Sequence, residues 1–268
     1  DPQQRKKIES RIRTRFLDDW IMTDQHLNDP AFLQRAQAQE IDITLSRRVA
    51  ALRIADITRY SDSSPGQETI DSINRWVRQA LGQVPGAIFS KTASVMILLL
   101  PAQDDERMLR FVNRLMQGVM DQFRVRLLAG IDSAADIGHA GVHQAWKKAM
   151  KALQACAAQT ERQVLFYDDI TYELFLDDIS SAAKALFVQR VFGGIPEEEI
   201  AEYAGLVKTL YQMDGSISRA ADAHFIHKNT LQYKLNKLTR ITGRDPRSYK
   251  CVPLYSLAIL FMREQTEE

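Results

Sequence analysis

Apolar positions recur along this chain with two periods, and the switch between them outlines the architecture. In RKKIESRIRTRFLDDWIM, Ile8, Ile12 and Phe16 repeat every four residues with Leu17 and Trp20 alongside, which predicts a helix. Asp29-Pro30 is a start signal for a second short helix over DPAFLQRAQAQEI. The pattern then tightens. RRVAALRIADI reads as a strand, and TIDSINRWVRQALG returns to helical spacing. GAIFS and VMILLL are apolar runs joined by the polar KTAS, which predicts a hairpin. DDERMLRFVNRLMQGVMDQF is helical, with Met108, Phe111, Leu115 and Val119 on one face. RVRLLAGI alternates as a strand, GVHQAWKKAMKALQACA is helical, and VLFY is a last strand. The order β-α-β-β-α-β-α-β from Arg48 to Tyr167 implies an α/β sheet layer of mixed direction.

After Asp169 the alternation stops. ITYELFLDDIS, AAKALFVQRVF and PEEEIAEYAGLVKTLYQM follow one another with helical spacing, the last opened by Pro196 and by Glu197 to Glu199 at the positive end of its dipole. The expected fold class is therefore α+β: a mixed α/β sheet domain followed by an all-helical domain. The expected divisions are a helical lead-in over 1–45, the sheet domain over 46–169 and the helical domain over 170–268, with the boundary between Asp169 and Ser181.

Composition is ordinary for a globular chain, and the net charge of +1 would suggest no particular partner. Its distribution changes that. From Glu161 to Asp214 there are eleven Asp/Glu against four Lys/Arg, a net of −7; from Gly215 to Lys250 there are eight Lys/Arg against two Asp, a net of +6. A basic block behind an acidic one points to a module with a polyanionic partner. Cys156 and Cys251 are too few and too far apart for a zinc site and read as reduced thiols, and the longest apolar run, Val95 to Leu100, is far too short for a bilayer. A cytoplasmic chain without membrane association is expected. Because it begins at Asp1 rather than Met, an upstream segment is expected as well.

Within the basic block, AADAHFIHKNTLQYKLNKLTRITG holds two helical patterns separated by about three residues near Phe225 to His227. In the second, Leu231, Leu235 and Leu238 share one face, while Asn229, Tyr233, Asn236 and Arg240 lie opposite, flanked by Thr230, Gln232 and Lys237. Ala220 and Ala221 allow the helices to approach closely. Such a pair is a helix-turn-helix, whose second helix fits the major groove. Asn and Gln can pair bidentately with adenine, and Lys or Arg with guanine, while cations further along meet phosphates. A small helical bundle with a solvated polar face has the same periodicity, and the turn lacks the glycine common in such motifs.

The residues DGSISRAADAHFIHKNTLQYKLNKLTRITGRDP resemble the C-terminal helix-turn-helix of the PucR/CdaR family of bacterial transcription regulators. The match lies in Gly215, Ser216, Ser218, Ala221, Phe225, Ile226, His227, Asn229, Thr230, Leu231, Tyr233, Leu235, Thr242 and Gly243. Lys228 and Lys234 stand where Arg is usual, and His224 replaces a leucine. The middle of the chain is similar to the diguanylate-cyclase (GGDEF) domain. There the hairpin carries glycines that admit a nucleotide and acids that hold magnesium; here it is Ser90-Lys91-Thr92-Ala93-Ser94, and Asp56 alone makes no two-metal site.

The resemblance implies a DNA-binding regulator, not an enzyme and with no cofactor, that activates sugar-diacid or related catabolic genes. It implies a helix-turn-helix at about 215–243 that binds double-stranded DNA, with Asn229, Thr230, Gln232 and Tyr233 facing bases and Lys228, Lys234, Lys237 and Arg240 facing phosphates. A homodimer is expected, with a small-molecule effector sensed by an N-terminal domain outside this sequence. The alternatives are a non-catalytic nucleotide sensor, a nucleotide cyclase with a DNA-binding tail, and a scaffold whose tail binds protein. His139 and His143, spaced i, i+4, and the pairs Asp168-Asp169 and Asp177-Asp178 read as helix-start or capping residues rather than as metal or catalytic sites. His227, at the turn, either donates to a phosphate or closes the motif.

Overall fold

The computed structural model describes residues 2–24, 28–136, 141–157, 162–176 and 178–265, with side chains to residue 262. The chain forms two compact units, Asp1–Leu174 and Phe175–Glu268.

The first unit opens with helices α1 (Pro2–Met22) and α2 (Pro30–Ala38), the latter capped by Asp29, whose side chain accepts from the Ala31 amide. There follow β1 (Arg47–Ile54), α3 (Thr58–Ser61), α4 (Ser64–Leu81), β2 (Ile88–Thr92), β3 (Val95–Pro101), α5 (Asp105–Phe123), β4 (Leu127–Ile131), α6 (Val142–Ala157) and β5 (Val164–Phe166). The sheet order is β2-β3-β1-β4-β5, antiparallel except for the parallel β4–β5 pair. This is the expected mixed sheet. The β2–β3 hairpin turns through Ala93 and Ser94, between the paired residues Thr92 and Val95.

Both faces of the sheet are buried, which explains why VMILLL is continuously apolar rather than alternating. Val49, Ala51, Ile97 and Leu99 face a core shared with Phe16, Trp20 and Ile21 of α1, Phe32 of α2, and Ala149 and Leu153 of α6. Ala50, Leu52, Leu98 and Leu100 face the other core, with Ile73 and Val77 of α4 and Met108, Val112 and Val119 of α5. Gly130 on β4 is the closest approach of α6: a Cβ there would lie 2.2 Å from the Ala149 carbonyl oxygen and 2.1 Å from the Leu153 nitrogen. At the edge of these layers Arg48 is fully buried and bonds Asp132, with Nε 2.9 Å from Oδ1. Asp132 also accepts from the Val49 amide at 3.0 Å. Burial nevertheless pushes its carboxyl up to about 6 against the pull of Arg48.

Three local readings are corrected. The helix expected from Thr69 begins five residues earlier, because Ser63 caps it and Pro65 occupies its first turn. The helical turn α3 was not expected. Conversely, ITYELFLDDIS yields only the single turn α7 (Glu173–Leu176).

The second unit is helical: α8 (Ser181–Val191), α9 (Glu197–Gln212), α10 (Ile217–Ala223), α11 (Lys228–Thr242) and α12 (Val252–Gln265). Its core joins Val188, Val191 and Phe192 with Tyr203, Leu206, Val207 and Leu210, the Ala220–Ala221 pair, the three leucines of α11, and Tyr255, Ala258 and Phe261. Among the described residues no helix is long and apolar enough to cross a membrane.

Candidate nucleic-acid interface

The interface is built from α10, α11 and the tight turn between them. Asp214 and Gly215, both left-handed at φ 53 and 78, reverse the chain after α9. Ser216 then caps α10 by accepting from the Arg219 amide. Ala220 and Ala221 are buried to 0% and 1% exposure, so α10 packs closely by its small residues. The α10–α11 turn is closed by the Ile226 amide donating to the Ala221 carbonyl at 3.0 Å and the Phe225 amide to the Asp222 carbonyl at 3.0 Å. Phe225 occupies the left-handed position at φ 55, where glycine would be unstrained, and its ring is 97% exposed. His224, the departure from leucine, places Nε2 2.7 Å from Thr209 Oγ1 on α9.

His227 caps α11: its Nδ1 accepts from the Asn229 amide at 3.2 Å, so the ring closes the motif and presents Nε2–H outward. Gly243, left-handed at φ 71, ends the helix. Between these caps Leu231, Leu235 and Leu238 are fully buried, as their spacing predicts. At about 100° per residue, Asn229, Tyr233, Asn236 and Arg240 fall within roughly 60° of one another on the opposite side. Lys228, Asn229, Thr230, Gln232, Tyr233 and Arg240 are all exposed.

Lys234 and Lys237 are placed differently. Both are half-buried on the flank facing α9, where Lys234 Nζ lies 2.5 Å from Glu202 Oε1 and Lys237 Nζ 3.8 Å from Glu199 Oε2. The hydrogen bond to Glu202 holds the Lys234 ammonium above its ordinary value. Glu199, in the acidic start of α9 read from sequence only as dipole complement, thus also faces Lys237, and Glu202 a turn further on faces Lys234. Asn236 is engaged too, its Oδ1 accepting from Arg247 Nη2 at 2.8 Å. Pairings across helices leave no mark in a single helix's periodicity; opposite charges on α9 and on the α11 flank were the available signal.

Among the described residues the other sequence candidates do not gather into a second site. His143 bonds the Ile21 carbonyl at 2.7 Å, and His139 lies outside the described residues. Asp168 accepts from Ser133 Oγ at 2.9 Å, while Asp177 lies outside the described residues. Cys156 and Cys251 are free thiols.

Two parts of the chain match known domain families. Residues 204–260 match the PucR C-terminal helix-turn-helix domain, and residues 24–155 match the GGDEF-like domain. The chain joins a GGDEF-like domain to a PucR-type helix-turn-helix. It is 24% identical over 263 residues to the uncharacterised protein YsfB of Bacillus subtilis (strain 168), covering 96% of this chain and 66% of that protein. Similar solved structures include a regulator of polyketide synthase expression from Bifidobacterium adolescentis, at 17% identity and a TM-score of 0.39, covering 96% of this chain and 94% of that one. The GGDEF domain of DgcB from Caulobacter crescentus, in complex with c-di-GMP, is 16% identical with a TM-score of 0.38, over 51% of this chain and 86% of that one.

Proposed function

We propose that the chain is a DNA-binding transcription regulator that enters the major groove with α11. The observation that carries this reading is the PucR-type helix-turn-helix with three fully buried leucines beneath an exposed row of amide, hydroxyl and basic side chains. Asn229, Thr230, Gln232 and Tyr233 read base edges; Lys228 and Arg240 meet phosphates, and Lys234 and Lys237 do so after exchanging their glutamates. The protein acts as a homodimer on half-sites about 34–36 Å apart, inside the cytoplasm. It activates sugar-diacid or related catabolic genes in response to an effector sensed outside this chain. The sheet domain serves as a non-catalytic scaffold, because its hairpin carries Lys91, Thr92, Ala93 and Ser94 in place of metal-binding acids.

The experiment is selection of bound genomic fragments by the purified chain across a salt titration. Recovered sites with paired half-sites support the reading, and no recovery above background counts against it. Asn229→Ala should relax sequence preference at one position, at about 1–3 kcal/mol for a lost bidentate contact. A uniform loss on every sequence would remove Asn229 from base reading.

A second reading, nucleotide sensing without turnover, is favoured by one feature of the first unit. A cavity of about 290 Å³ at the end of β1 is lined by Asp56, Arg59, Tyr60, Arg124 and Arg126 among others. None of these arginines pairs with a carboxylate among the described residues. A rise in melting temperature with GTP, abolished by Arg126→Ala, would establish it.

A further inference from the structure

The connection between α11 and α12, residues 244–251, is held far more firmly than a surface link requires. The Tyr211 hydroxyl donates to the Pro246 carbonyl at 2.8 Å, and the Tyr255 hydroxyl donates to the Arg244 carbonyl at 2.9 Å. Thr242 Oγ1 reaches the same Arg244 carbonyl at 3.3 Å. Tyr255 is fully buried and Tyr211 half-buried; burial raises both phenols, so they remain neutral donors. Pro246 is buried. Asp245 closes the turn, its Oδ1 accepting from the Arg247 amide at 3.0 Å and from Arg247 Nε at 2.8 Å. The Ser248 amide then donates to the Asp245 carbonyl, and the Cys251 amide to the Ser248 carbonyl.

This clamped segment is tied to the polar face of α11. Arg247 Nη2 donates to Asn236 Oδ1, and Asn236 shares its row with Asn229, Tyr233 and Arg240. At its tip the segment presents Tyr249, 95% exposed, and exposed Lys250, neither with a partner among the described residues. A rigid backbone, a phenol and an ammonium are thus displayed beside the C-terminal half of the recognition helix. A helix whose first turns enter the groove has the flanking sugar-phosphate chain beside its later turns. Donors carried on a held backbone bind phosphate with less of the ordering cost that a loose loop carries.

We infer that the 244–251 connection is a second DNA-contact element, separate from α11, that docks on the sugar-phosphate backbone bordering the groove. The Tyr249 hydroxyl and the Lys250 ammonium donate to phosphate oxygens, and Arg247 is a positioning residue that sets the segment against α11. The inference rests on the reading that α11 meets DNA.

The test uses the full chain with a selected genomic fragment and a scrambled duplex, each titrated with salt. Lys250→Ala should weaken both duplexes alike by about three- to ten-fold and reduce the salt slope by about one. Tyr249→Phe, which keeps the ring and loses the hydroxyl, should cost about two- to ten-fold with the slope unchanged. Both residues are exposed, so melting temperatures should stay at the wild-type value. Arg247→Ala and Asn236→Ala should be non-additive, the double variant binding no worse than the weaker single one. Wild-type affinity and slope in Lys250→Ala and Tyr249→Phe, with Asn229→Ala still relaxing sequence preference, would overturn the inference and leave the α11 reading intact. A Lys250→Ala loss confined to the selected fragment would overturn the phosphate role. Failure of the wild-type chain to bind either duplex would overturn the α11 reading, and the inference with it.

Discussion

Each unit contains a tight turn in which a residue other than glycine adopts a left-handed backbone, and the two turns have come to different ends. In the first unit Ala93 does so at φ 49 in the β2–β3 hairpin; in the second Phe225 does so at φ 55 between α10 and α11. Each tolerates strain of about 1–2 kcal/mol because the surrounding structure holds it. The hairpin presents a methyl and a hydroxyl at its tip, over strands buried on both faces, and is suited to holding shape. The helical turn launches a helix whose outer face is polar and exposed from Lys228 to Thr230. The same backbone device carries a small apolar-backed tip in one unit and a polar, exposed helix start in the other.

The strongest way to break this contrast is to remove the packing under the second turn. Leu235→Ala, at a site with no exposure, should cost about 2–5 kcal/mol and abolish binding to every DNA sequence. An unaltered melting temperature would mean that the leucine face does not support α11. A smaller effect sharpens the electrostatic side. Glu202→Gln releases Lys234 and should raise DNA affinity by about two- to five-fold at low salt, since such a half-exposed pair is worth less than about 1 kcal/mol. A fall in affinity would show that the pair orients Lys234 for DNA rather than withholding it. The smallest effect tests the turns themselves. Ala93→Gly and Phe225→Gly should each gain at most about 1 kcal/mol in chemical denaturation, relief of strain being partly offset by the flexibility of glycine when unfolded. Ala93→Gly should confer no magnesium-dependent turnover of GTP.

The succession of strands and helices, the hairpin and the helix-turn-helix were legible because each rests on a local rule, whereas the strand order within the sheet was not. Two apolar runs broken by the polar KTAS give the hairpin, and period 3.6 in Leu231, Leu235 and Leu238 gives the buried side of α11. The extra turns of α4 were also legible, since Ser63 and Pro65 are start signals, but the apolar period begins later and masks them. What could not be read depends on distant parts of the chain meeting. Glu202 lies 32 residues from Lys234, and the clamp on Pro246 comes from Tyr211, 35 residues away. The left-handed Phe225 was illegible for a different reason: the turn is imposed by closure between α10 and α11 against the residue's own preference.

The carboxylates gathered around the interface bear on how such a protein would search a genome. Of the eight Lys/Arg between Gly215 and Lys250, four already face an acid: Arg219 with Asp214, Lys234 with Glu202, Lys237 with Glu199, and Arg247 with Asp245. A cation that arrives with its own counter-charge displaces little from the ion atmosphere of DNA. The chain would therefore release only about half the ions its basic residues imply, and hold non-cognate duplex weakly. Brief stays at wrong addresses leave more of the encounter time for the right one.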